Sequence, residues 1–516
     1  MTGRDHLLVS FDGLELSPAA AEAIARRASG VTLYRHLNVR TAAQVRRLTD
    51  ELQAAAARLG LPPLLIGADH ETGQLHAMGD DATPFAGAMA LGAVGDEALA
   101  ERVAVAIGAE LRAMGVNLVY APVCDLATNP RNPVVGNRSF GDDPAAVGRL
   151  AAATVRGLQS AGVAATIKHL PGHGEPGGDS HLGLPVVEAS ADELRARELV
   201  PFRAAIEAGA RVAMAGHLAV PALTGRRDLP ATLSREIVIG LLRDELGFGG
   251  LVVSDALDMG GVQGADGADV SGALAAGIDL LLCGPDPAAQ TRVEAKLARA
   301  VAGVDLAAAE DAARRLERLR DWIAGFTQPS AEVVGGSTHR VLADELARRS
   351  ITQVRDRDGL LGRRLDPNAR VLVIEPRPVL LTPADTTSWL PAGGLAAAIR
   401  TRLPATEGIV VEAAIEPAEI VAIRERAGAA DLVVLGTVDA LGRPSLVELA
   451  RALKAIGRPL IAVALRTPWD ADAYPDVGSV VASYGVQAPT LDAVAAVIAG
   501  GAPLSGRLPV RVRTAA

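Results

Sequence analysis

Short apolar runs rich in β-formers alternate with Ala-, Arg- and Glu-rich stretches through the first part of the chain, and this alternation limits the fold more than any other feature. The runs lie near Leu7–Phe11, Gly30–Tyr34, Pro63–Ala68, Val116–Ala121, Ala164–Lys168, Arg211–Ala215, Gly250–Ser254 and Ile278–Cys283. Between them, Thr41–Leu59, Asp96–Met114, Pro144–Ala161, Glu193–Ala208 and Ser234–Leu246 have helical composition. Strands that alternate with helices pair in parallel through right-handed crossovers. Eight such units in roughly 300 residues predict a (β/α)8 barrel over residues 1–324, with an open doubly wound sheet as the competing arrangement.

The pattern breaks after Trp322. Residues 325–345 are expected to link two units, because their first part, GFTQPSAEVVGGS, is rich in Gly, Pro and Ser. A second alternation follows, with strands expected at Arg370–Glu375, Ile409–Ala413, Asp431–Leu435, Pro459–Leu465 and Ser479–Ala482. Residues 346–516 therefore read as a smaller α/β sandwich. The 516 residues are 49% apolar with a net charge of -9, which suits a globular protein. No basic run occurs and aromatics make up only 3%, so a nucleic-acid partner is not expected. The two cysteines, Cys124 and Cys283, lie in apolar stretches and suit small buried hydrophobes. No apolar run is long enough to span a bilayer, and MTGRDHLLVSFDG has no secretory apolar region, so a cytoplasmic location is expected.

A barrel carries its active site at the C-terminal ends of its strands. Ionisable residues recur at those ends: Asp69 after the third strand, Asp125 after the fourth, Lys168 and His169 after the fifth, His217 after the sixth and Asp255 after the seventh. Such convergence predicts a functional mouth. The loop KHLPGHGEPGGDSHLGLP, from Lys168 to Pro185, holds three histidines, Glu175 and Asp179 among five glycines. Its histidines could hold a metal, although their spacing matches no zinc signature. Lys168 could form a Schiff base. Alternatively, Asp179 could orient His181 for proton transfer near neutral pH, or simply close an Asx-turn. A bare carboxylate at Asp255 beside a proton-trading residue suits double displacement at an anomeric carbon, though capping the following helix would also explain Asp255.

These residues resemble glycoside hydrolase family 3, in particular its β-N-acetylglucosaminidase branch. The match runs from KH-x-PGHG to DSH at 168–181, with SDALDM at 254–259, RSFGDDP at 138–144 and MAGHL at 214–218. LRTPWD, ASYG and SGRLPV extend it into the second unit. The resemblance implies Asp255 as nucleophile, His181 as acid/base and Asp179 as its orienting partner. It implies sugar contacts from Asp69, Arg138, Lys168, His169 and His217, with His173 lining the site or supporting its loop. No metal or cofactor is implied. The segment after Asp69 reads HETGQLHAM where the family usually has an acidic–Gly–Gly–Arg run, so Thr72 replaces a glycine and Gln74 an arginine.

The expected substrate is a terminal β-N-acetylglucosaminide, such as a cell-wall fragment. Phosphate is the alternative acceptor, because a neutral histidine would not repel it as a carboxylate would. A non-catalytic sugar-binding protein is the competing reading of another class.

Overall fold

The computed structural model describes residues 3–264, 267–284, 286–300, 306–380, 385–387 and 390–513. Eight parallel strands form the first sheet: β1 (Leu7–Val9), β2 (Gly30–Leu33), β3 (Leu65–Ala68), β4 (Leu118–Val119), β5 (Ala164–Leu170), β6 (Val212–Ala215), β7 (Leu251–Ser254) and β8 (Leu281–Leu282). Each pairs with its neighbour in chain order, and β8 returns to β1 with Leu7 opposite Leu281. The Val253–Leu280 bridge closes the ring between β7 and β8, so the sheet is a barrel and not an open array.

Every one of the eight expected strand positions carries a strand. Side chains including Leu8, Leu65, Leu118, Met214, Val253 and Leu280 form one buried cluster. The crossover helices begin where the sequence supplies caps. Asp96 accepts from Leu99 N at the start of α1 (Glu97–Ala113), and Asp143 accepts from Ala146 N at the start of α2 (Pro144–Ser160). The α2 face that meets the barrel carries Val147, Leu150, Ala151, Val155 and Leu158 at helical spacing. The single helix expected over Glu193–Ala208 is instead two, Ala191–Ala196 and Leu199–Glu207, because Arg197 leaves helical geometry at φ -128° and ψ -74°.

The second sheet has the order β9 (Thr352–Asp356), β14 (Ser479–Ala482), β13 (Leu460–Ala464), β12 (Leu432–Thr437), β10 (Val371–Pro376) and β11 (Thr406–Val411). All its pairs are parallel except β9 with β14. Val371 and Val373 of β10 face helices Gly394–Arg400 and Ala488–Ile498, whereas Leu372 and Ile374 face the opposite layer. This is the expected α/β sandwich with one further strand, β9. The segment 325–345 carries a 3-10 turn at Ala331–Val333 and the first part of a helix, Ser337–Ser350. Among the described residues, no helix is long and apolar enough to cross a membrane.

Candidate active site

A cavity of roughly 550 Å³ opens at the C-terminal ends of the barrel strands. Seven of the nine residues singled out in the sequence line it: Asp69, Arg138, Lys168, His169, His173, His181 and Asp255. Asp179 and His217 stand behind this lining.

Lys168, near the end of β5, is 1% exposed yet carries a charge. Its Nζ lies 2.6 Å from Asp69 Oδ1 and 2.5 Å from Glu71 Oε1. Burial disfavours the ammonium, but these two carboxylates outweigh it and raise the pKa above the usual lysine value. A lysine held in this way does not serve as a neutral amine for Schiff-base chemistry. Arg138 completes the cluster with a bidentate pair to Glu71, Nε at 2.8 Å and Nη2 at 2.7 Å. Burial pushes the Glu71 carboxyl up, yet Arg138 and Lys168 hold it at about 2. Two buried cations therefore face two carboxylates, and Glu71 sits between the cations. Removing Glu71 would leave charge uncompensated in the interior.

Glu71 was not among the expected site residues. It lies on the hairpin formed by His70–Thr72 and Leu75–His76. Thr72, where the family usually has glycine, adopts φ +69°. That left-handed conformation costs a β-branched residue about 1 kcal/mol or more, which explains why glycine suits the position.

Asp125, wholly buried after β4, fixes the next layer. One oxygen accepts from the backbone N of His169 (3.1 Å) and of His173 (2.7 Å), and the other meets His169 Nδ1 at 2.7 Å. Burial works to raise its pKa, but His169 and His173 hold it below the ordinary aspartate value. Asn132 Nδ2 donates to the carbonyls of His173 (2.7 Å) and Pro176 (2.9 Å), so the β4 loop scaffolds the β5 loop. Gly174 is required there, since a β-carbon would lie 1.7 Å from Leu126 O. His173 Nε2 meets Ser180 Oγ at 3.0 Å, tying the loop's two ends, and burial lowers its pKa to about 4. His173 is therefore a neutral support of the loop.

The end of that loop carries a second Asp–His pair. Asp179 Oδ1 lies 2.7 Å from His181 Nδ1 and also accepts from His181 N at 2.8 Å. Burial disfavours the imidazolium, but the Asp179 hydrogen bond and the Asp255 charge raise the pKa above 6.5. With Nδ1 held by the carboxylate, Nε2 is left to exchange a proton.

Asp255 follows β7 and borders the cavity. Desolvation works to raise its pKa, but His169, His217 and His181 together with the Ala256 N–H lower it below the ordinary value. It is a carboxylate at neutral pH. Its loop is joined to the His181 loop by Gly260 N to His181 O (3.0 Å) and Gly261 N to Ser180 O (2.9 Å). A β-carbon at Gly260 would come within 2.9 Å of His181 O, so these glycines permit the close approach.

His217, expected to contact the ligand, does not line the cavity. It is fully buried with Nδ1 at 2.8 Å from Thr232 Oγ1 and Nε2 at 3.1 Å from Ala256 O. Both ring nitrogens are engaged within the protein, directly beneath the Asp255 segment. The second unit also contributes to the cavity wall through Leu380, Asp385 and Thr386. Thr386 N and Oγ1 donate to Gln74 O at 2.8 and 2.7 Å, so this loop docks on the Glu71 hairpin.

One carboxylate and one imidazole able to trade a proton thus share a cavity with a neutralised ion cluster. Residues 8–319 match the family description "Glycosyl hydrolase family 3 N terminal domain". Beta-hexosaminidase A of Pseudoalteromonas piscicida is 31% identical over 554 residues, covering 96% of this chain and 91% of its own. The "Beta-N-acetylglucosaminidase/beta-glucosidase" of Cellulomonas fimi is 30% identical over 523 residues, covering 92% and 87%. The solved structure of a glycoside hydrolase family 3 β-N-acetylglucosaminidase from Paenibacillus sp. str. FPU-7 is 34% identical with a TM-score of 0.93, covering 99% of this chain and 98% of its own. With a family match over more than half of its length and full-length relatives of this similarity, the chain belongs to glycosyl hydrolase family 3.

Proposed function

We propose that this chain is a retaining glycosidase that removes a terminal β-linked N-acetylglucosamine. The joining of the Asp255 loop to the Asp179–His181 loop carries the reading, because it places both chemical groups on one cavity. The activities in the names of the full-length relatives support the same sugar.

Asp255 attacks the anomeric carbon as the bond to the leaving oxygen breaks and His181 Nε2 gives that oxygen its proton. A glycosyl ester on Asp255 results, and His181 is then neutral. Water next loses a proton to His181, its oxygen bonds to the anomeric carbon, and the Asp255 carboxylate is released. Asp179 holds the imidazole's tautomer and steadies its charged form. Asp69, Arg138, Lys168 and His169 grip the sugar. His173 supports the loop, and His217 supports the Asp255 segment from below.

The setting we propose is the turnover of cell-wall fragments in the cytoplasm, consistent with two buried free cysteines. The decisive experiment is a panel of aryl β-glycosides differing at the 2-position, assayed with and without phosphate. Preferential release from the 2-acetamido substrate, as free sugar in both conditions, is the expected result. Accumulation of sugar 1-phosphate would make the enzyme a phosphorylase. Amino-sugar binding without turnover of any substrate would make it a binding protein only.

A further inference from the structure

Among the contacts of the second unit with the loops that carry the ion cluster is one guanidinium. Arg466, just after β13, donates from Nε to Gln74 Oε1 at 3.0 Å and from Nη2 to Pro133 O at 3.2 Å. Gln74 lies on the hairpin that carries Glu71, and Pro133 lies on the loop that leads to Arg138. One side chain therefore bridges the two barrel loops whose Glu71 and Arg138 form the bidentate pair. The backbone makes room for it: Gly136 has φ +44°, and a β-carbon there would lie 2.7 Å from Arg466 Nη2. Neighbouring bonds run the same way. Gln487 Nε2 donates to Gly73 O at 2.6 Å, and Asn137 Nδ2 donates to Tyr484 O at 3.0 Å. A planar fork can serve two acceptors in fixed directions, which a lysine ammonium does less well.

We propose that Arg466 is a positioning residue by which the second unit completes the sugar pocket. It holds the two loops at the spacing where Glu71 neutralises both Arg138 and Lys168. The inference rests on the reading above, in which Arg138 and Lys168 grip the sugar. Asp255 and His181 sit on other loops, so the effect of losing Arg466 falls on sugar affinity more than on the chemical step.

The test measures KM and kcat on an aryl β-N-acetylglucosaminide for Arg466→Met, Arg466→Ala and Arg466→Lys. Arg466→Met keeps most of the bulk and loses the hydrogen bonds. It should raise KM about tenfold while kcat changes only about threefold or less. Added guanidinium should lower the KM of Arg466→Ala and leave the wild type unaffected. Arg466→Lys should recover little. Gln74→Ala removes the acceptor on the hairpin and should raise KM in the same direction, which carries the test if the arginine variants do not fold. A wild-type KM in folded Arg466→Met overturns the proposal, as does a loss confined to kcat. Absence of both turnover and N-acetylglucosamine binding in the wild type would instead remove the parent reading, and this inference with it.

Discussion

Two Asp–His pairs face the same cavity, and their hydrogen bonds are alike: Asp125 with His169 and Asp179 with His181, each at 2.7 Å to Nδ1. Their surroundings differ. Asp125 is completely buried, reaches His169 on the adjacent strand and accepts two backbone N–H groups besides. Asp179 is two residues from its partner on one loop, and the His181 side chain keeps 21% of its surface exposed. The same contact therefore makes a rigid element of the barrel in one place and a proton carrier in the other. Full burial of Asp125 with both oxygens engaged favours orientation, whereas the greater exposure of the His181 ring favours exchange.

The sharpest way to break the comparison is at the carboxylate that faces both imidazoles. Asp255→Ala should lower kcat on the order of 10⁴-fold with little loss of folding, read by steady-state rates and thermal melting. His181→Gln comes next. It should lower kcat on the order of 10²- to 10³-fold for substrates with poor leaving groups and far less for a dinitrophenyl glycoside, which needs no protonation. His169→Gln should show no such leaving-group dependence. If the two variants respond alike, the distinction between the pairs is wrong.

Stability separates the two aspartates. Asp125→Asn replaces an acceptor of three hydrogen bonds in the interior and should cost roughly 2–3 kcal/mol in denaturant unfolding, whereas Asp179→Asn should cost less than about 1 kcal/mol. The pH profile gives the reverse order. His181 must be protonated to donate, so kcat/KM should fall as pH rises through its pKa, which lies above 6.5. Asp179→Asn removes the interaction that raises that pKa while burial still lowers it, so the alkaline limb should move to lower pH. A limb that stays in place would show that Asp179 does not set the His181 pKa.

A further pH effect lies behind the rigid pair. Glu198 packs against Gly172 and is 2% exposed, and burial raises its pKa from 4.5 to about 7. The folded state keeps this proton where the unfolded chain has released it. Stability should therefore fall as pH rises from 4.5 towards 7, and Glu198→Gln should flatten that part of the profile. Equal slopes for the wild type and the variant would remove Glu198 as the source.

The barrel strands were legible because apolar, β-branched runs between helical segments have few other ways to be buried. Strand β9 was not, since TQVRD carries charge. The structure buries Arg355 there with its Nε on Val477 O and its Nη2 on Tyr474 O, so an arginine fills an interior position. Glu71 stood in plain view beside Asp69 but had no visible purpose until Arg138 and Lys168 came to either side of it. Two cations expected at one mouth, with Asp69 as the sole carboxylate assigned near them, were the signal that another anion was needed. His217 shows the opposite case. Its place after a strand end suggested the ligand, but position along the chain does not say which way a ring turns.

The amino-acid sequence by itself determined the barrel, the second α/β unit, the proton-trading loop and the lone carboxylate after β7. These depend on local pattern and on short motifs whose residues act together within a few positions. Only the tertiary structure decided which groups neutralise one another, which histidines face the cavity and how the second unit reaches the pocket wall. Those outcomes depend on contacts such as Arg466 with Gln74, 392 residues apart, and such contacts exist only once both sheets have formed. Burial then sets the charge states, because the same carboxylate or imidazole titrates differently according to what surrounds it.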